Sequence, residues 1–119
     1  NYTMIFISHD RYFIDRIATR CIEIDDAKLR RFRGGYANYL SGKAQLLENM
    51  RTEHENLLRL LKQEEHWYQR GVSARRKRNE GRKRKLLDLR DQAKKNPSAI
   101  RKMRVELERE KKNWKLLVP

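Results

Sequence analysis

Residues 46–61 read Leu46-Leu47-Glu48-Asn49-Met50-Arg51-Thr52-Glu53-His54-Glu55-Asn56-Leu57-Leu58-Arg59-Leu60-Leu61. Within this stretch Leu47, Met50, His54, Leu57 and Leu61 alternate steps of three and four residues, the spacing of one helix face. The register extends outward to Leu40 on one side and Tyr68 on the other, with Glu, Lys and Arg filling the remaining faces. It predicts one helix from about Ala37 to Arg70, on the order of 50 Å long at ~1.5 Å per residue. Gly71-Val72-Ser73 interrupts it. A second stripe follows in Leu86, Leu89, Ala93, Ile100, Met103, Leu107 and Trp114. Two helices of similar length joined by a short glycine-containing turn are expected to fold back antiparallel. Asn96-Pro97-Ser98 lies inside the second stripe and predicts either a restart, with Asn96 as N-cap and Pro97 at the first helical position, or a kink.

Upstream the composition changes. Thr3 to Ser8 (Thr-Met-Ile-Phe-Ile-Ser) is an apolar run of the kind found in strands buried on both faces. Ser8 or Asp10 then serves as an N-cap for a short helix over residues 10–19, whose apolar positions are Phe13, Ile14, Ile17 and Ala18. Ile22 and Ile24 alternate with polar neighbours as a strand, Asp25 to Lys28 reads as a turn, and Leu29 to Arg33 as a poorer strand ended by Gly34-Gly35. Three such pieces bury too little surface to stand alone. The start at Asn1, inside a predicted strand, leads us to expect a segment of a longer protein. The fold class is therefore mainly α: a long antiparallel, coiled-coil-like helical hairpin over 37–119, preceded by a small α/β remnant over 1–36.

Charge narrows the function. The chain of 119 residues carries 30 Lys+Arg against 16 Asp+Glu, a net +14, so a polyanion is the natural partner. No apolar run approaches the ~18 residues of a membrane span. The single Cys21 excludes an internal disulfide and fits a reducing, cytoplasmic setting. The excess is concentrated in residues 70–85, where nine of sixteen residues are basic and one is acidic, a net of +8. The basic residues are Arg70, Arg75, Arg76, Lys77, Arg78, Arg82, Lys83, Arg84 and Lys85. Extending the second stripe backwards from Leu86 reaches Arg82, Asn79 and Arg75, so the seam turns polar here and this end is expected to face a ligand. Arginine outnumbers lysine six to three; guanidinium groups grip phosphate bidentately and stack on unpaired bases. Gly71 and Gly81 leave room for a close backbone approach. Trp67 and Tyr68 suit closing the apolar seam better than stacking on bases. His54, on the seam, reads as structural, and no residues stand at metal-ligand spacing.

Two motifs add a resemblance. Ile5-Phe6-Ile7-Ser8-His9-Asp10-Arg11-Tyr12-Phe13 resembles the switch-histidine strand and following helix of an ABC ATPase domain. Gly35-Tyr36-Ala37-Asn38-Tyr39-Leu40, Gln63 to Gly71 and Ala74 to Arg82 resemble the linker between the two ATPase domains of ABC-F proteins, in the Uup-like subgroup. The resemblance implies a parent ATPase using ATP and Mg, with His9 as the residue sensing the γ-phosphate. It also implies a ribosomal partner, the basic residues touching tRNA and rRNA; the alternative is DNA, as in transposon excision. The chain itself has no GxxxxGK[ST] phosphate loop and no catalytic carboxylate upstream of His9, so it is not expected to hydrolyse ATP or to hold a cofactor alone. Exposed sheet edges at 1–36 are expected to favour self-association.

Overall fold

A computed structural model describes residues 2–70 and 79–117. The chain is mainly α, with helices α1 (Arg11–Ile17), α2 (Tyr36–Gln69) and α3 (Glu80–Leu117) and an antiparallel pair of strands, β1 (Arg20–Asp25) and β2 (Lys28–Arg33). It divides into two compact units. One comprises Asn1–Leu46 with Val105–Pro119, and the other Leu47–Arg104.

In the first unit, Asp10 is the N-cap of α1. Its backbone is extended and its carboxylate accepts from the Phe13 N–H at 3.2 Å, while Ser8 Oγ accepts from Asp10 N–H at 3.0 Å. β1 and β2 pair from Arg20↔Arg33 to Asp25↔Lys28. Asp26 and Ala27 make the turn with φ of 48° and 59°, the pair of left-handed residues that a two-residue hairpin requires. Gly34 follows at φ 92°, a conformation open to glycine, and its N–H donates to the Thr19 carbonyl at 2.8 Å. Asp15 of α1 then caps α2, accepting from the Ala37 N–H at 2.9 Å. Phe32 of β2 lies against Gly42, where any Cβ would sit 2.6 Å from the ring. That contact explains a glycine inside a helix, where it costs about 1 kcal/mol relative to alanine.

The expected strand over Thr3–Ser8 does not form. No strand is assigned there, and Ile5 and Ile7 are almost fully exposed. A strand of this composition is held by neighbours on both sides, and the described residues offer none.

A buried polar network ties β1 and β2 to α2. Lys43, 4% exposed, donates to Glu23 Oε2 at 2.8 Å, and Tyr39 donates its hydroxyl proton to the same carboxylate. Arg30, opposite Glu23 in the ladder, donates to its other oxygen at 2.9 Å. Burial raises the Glu23 pKa, but Lys43, Tyr39 and Arg30 outweigh it and hold the carboxyl below its ordinary value. A second cluster joins α1, α2 and α3. Arg11 donates to Glu110 at 2.8 and 3.3 Å, Tyr36 donates to the same carboxylate, and the Tyr36 ring lies 5.1 Å from that of Trp114. The Arg11 hydrogen bond is the main cause of a lowered Glu110 pKa.

Every seam position named from the sequence is buried or half-buried. Leu86 is fully buried in the second unit, with Leu47 and Met103 nearly so. Within each unit α2 and α3 run antiparallel, as Tyr36–Glu110 with Lys43–Glu106 in one and His54–Asn96 with Glu65–Arg90 in the other require. At Pro97 the restart reading does not hold: α3 runs unbroken from Glu80 to Leu117 with the proline inside it. Asn96 is not a cap. Its Nδ2 lies 3.3 Å from Nδ1 of His54, which makes His54 a seam residue with a polar partner. Pro97 is exposed and has no N–H for the Ala93 carbonyl. Pro97→Ala is therefore expected to stabilise the chain by about 1–3 kcal/mol, read as a rise in Tm without loss of helical circular dichroism.

Candidate nucleic-acid interface

α2 ends at Gln69 with a tightened last turn in which Arg70 N–H donates to the Trp67 carbonyl at 3.2 Å. α3 opens after Asn79, whose carbonyl accepts from Lys83 N–H at 2.9 Å, with Glu80 in its first turn. The basic cluster is carried on these two ends. Arg70, Lys83, Arg84 and Lys85 are all exposed, and the Arg84 side chain, 3.9 Å from Glu80, remains 80% exposed. A contact at that distance between two exposed groups does little to neutralise Arg84. Arg75, Arg76, Lys77 and Arg78 lie outside the described residues.

Arg82 differs from its neighbours and from the expectation that this end faces only a ligand. It turns onto α2, donating from Nε and Nη2 to Glu64 at 2.8 and 3.2 Å. Its guanidinium carbon stands 3.9 Å from the centre of the Trp67 ring. The pair raises the pKa of Arg82 and lowers that of Glu64, in each case chiefly through the hydrogen bond between them. About two turns further along α3 the motif recurs with a wider separation of cation and ring. Arg90 pairs bidentately with Glu65, and its guanidinium is 5.6 Å from the centre of the Tyr68 ring. Trp67 and Tyr68 thus close the seam, as read from the sequence, but with arginine rather than aliphatic partners.

Glu64, Glu65 and Arg90 were missed as parts of this end. The available signal was the repeated spacing of a carboxylate three residues before an aromatic, Glu64 to Trp67 and Glu65 to Tyr68, which puts both on one helix face. His9 sits at a bend between residues 2–8 and α1 and is exposed. It lies in the first unit, whereas Arg82 to Lys85 lie in the second.

A family model described as ABC transporter matches residues 22–113, which take in β2, α2 and most of β1 and α3. The ATP-binding protein Uup of Escherichia coli (strain K12) is 46% identical over 90 residues, 76% of this chain and 14% of that protein. The chain belongs to the ABC transporter family, in its Uup-like ABC-F branch. Within that branch the ATP-binding protein Uup of Haemophilus influenzae is 34% identical over 115 residues, 97% of this chain and 18% of that protein. More distant is the energy-dependent translational throttle protein EttA of Mycobacterium tuberculosis, 28% identical over 92 residues, 77% of this chain and 16% of that protein. This ABC-F chain thus spans less than a fifth of the length of the curated relatives named here. No solved structure matches it. The family match begins after His9, so a switch role for that residue rests on its motif.

No helix among the described residues is long and apolar enough to cross a membrane. Lys83, Arg84 and Lys85 step by about 100° each around the first turns of α3, and Arg70 follows the end of α2, so the exposed cations spread positive charge in several directions.

Proposed function

We propose that this chain is the linker of an ABC-F ATPase and that its basic end binds structured RNA, tRNA and rRNA, coupling ATP turnover elsewhere in a longer protein to translation. In this reading residues 1–36 are the end of an ATPase domain and 37–119 the linker. The observation that carries it is the exposed Lys83-Arg84-Lys85 run within a sixteen-residue segment of net +8. Its arginines favour RNA because a guanidinium serves both phosphate and an unpaired base. The M. tuberculosis relative is named a translational throttle protein, which supports translation as the setting.

The chain's own residues do not make an ATP site. They contain no phosphate loop, and exposed His9 is the one residue assigned toward the nucleotide. ATP and Mg would be held mainly by other parts of the parent protein. What the chain supplies is anion binding at one end and, in its first unit, Arg11 two residues after His9 holding Glu110 of α3.

Competition tests the reading against DNA. The chain is bound to a labelled four-way DNA junction and challenged with tRNA at equal phosphate concentration. Displacement by tRNA at least about tenfold more effective than by unlabelled junction is expected, because A-form stems with unpaired ends offer both phosphate and base contacts. Preferential retention on the junction would replace the RNA reading with a DNA one.

A further inference from the structure

Arg82 stands apart from the other cations of the basic end. Glu64 occupies its Nε and Nη2 donors, one of the two edges with which an arginine can grip a phosphate, and partly neutralises its charge. Trp67 covers one face of the guanidinium at 3.9 Å. The side chain nevertheless keeps 44% of its surface exposed, and among the described residues no atom comes within 4 Å of where a Cβ on the neighbouring Gly81 would sit. A planar cation fixed along one edge and stacked on one face presents its opposite face to solvent at no further ordering cost.

We infer that Arg82 is a stacking platform for an unpaired nucleobase, held flat by Glu64 and Trp67, rather than a phosphate clamp. This rests on the nucleic-acid reading above and names the part of the ligand that Arg82 takes. Lys83, Arg84 and Lys85 hold backbone phosphates through charge. Arg82 holds a base between solvent and its own indole support, and gives the interface a preference for single-stranded ends or loops over blunt duplex. The looser Arg90–Tyr68 pair, 5.6 Å apart, does not share the role.

The test uses two RNA probes, a stem with a short unpaired 3′ end and the same stem blunt, titrated against the whole chain and its Arg82→Lys and Glu64→Gln variants over a range of salt. Lysine keeps the charge but has no face to stack on. Arg82→Lys is expected to weaken binding of the overhang stem about tenfold and of the blunt stem less than about twofold, with the salt slope unchanged. Glu64→Gln frees the guanidinium edge and is expected to steepen the salt slope while reducing the preference for the overhang. Circular dichroism confirms that α2 and α3 are intact in both variants. Equal weakening on both stems, or no change on the overhang stem, would overturn the stacking assignment while leaving RNA binding standing. Failure of the unaltered chain to bind either stem overturns the RNA reading itself.

Discussion

Replacing Arg75, Arg76, Arg78, Lys83, Arg84 and Lys85 together with Gln is expected to weaken tRNA binding by on the order of 100- to 1,000-fold at moderate salt. Each cation that neutralises a phosphate releases counterions, and each is worth about 0.7–0.9 in the slope of log K against log salt. Losing six such contacts should therefore flatten that slope by roughly 4–5, a readout separate from the affinity itself. Glutamine is close to arginine and lysine in helix propensity, and the substitution relieves repulsion between neighbouring cations. Helical circular dichroism should be unchanged and Tm should not fall. An unchanged affinity for tRNA would reduce this end to a solvated spacer.

The largest effect on stability is expected from Lys43→Met. The Lys43 side chain is 5% exposed and that of Glu23 is 11% exposed, so neither can recover water when its partner is removed. Breaking a buried pair from one side costs about 3–5 kcal/mol, and the lower end applies because Arg30 and Tyr39 still reach Glu23. Lys43→Met with Glu23→Gln should recover much of that loss, since the uncompensated carboxylate is then absent.

Acid provides an independent check on the same pair. Glu23 titrates below its ordinary value in the folded chain, so its contribution is fully present above the unfolded carboxylate pKa and fades as pH falls through the folded one. In Lys43→Met the largest remaining influence is burial, which raises the pKa. The Tm gap between the two proteins should therefore be wide at neutral pH and narrow in acid. A gap that stays constant would mean Lys43 acts through packing of its stem alone.

The helical seams were legible because a helix face repeats every few residues and each position reports the same fact; the seam positions from Leu40 to Tyr68 and from Leu86 to Trp114 are all buried or half-buried. That α3 runs unbroken through Pro97, with no restart, was not legible. The cost of the proline is local, and the burial of Met103 and Leu107 beyond it, with Asn96 against His54, carries α3 across the gap. Thr3 to Ser8 reads as a strand by composition, yet a strand needs partners, and composition does not supply them.

At the basic end the register already placed Arg82 on the seam, four residues before Leu86. Which carboxylate it would find there depended on how α2 and α3 align. That alignment brings Glu64 and Trp67 to it from far along the chain. The exposed cations were legible as charge alone. The same charge sum conceals that Arg82 is paired while Arg70, Lys83, Arg84 and Lys85 stay exposed.

Amide chemical-shift mapping of the whole chain during titration with tRNA tests the interface most directly. The largest changes should fall on Arg70 and residues 79–85, together with the indole N–H of Trp67. Arg20, Arg31 and Arg33, exposed on one face of the strand pair, offer a competing basic surface. Changes centred on those three residues, with residues 79–85 unmoved, would contradict the assignment of the RNA interface.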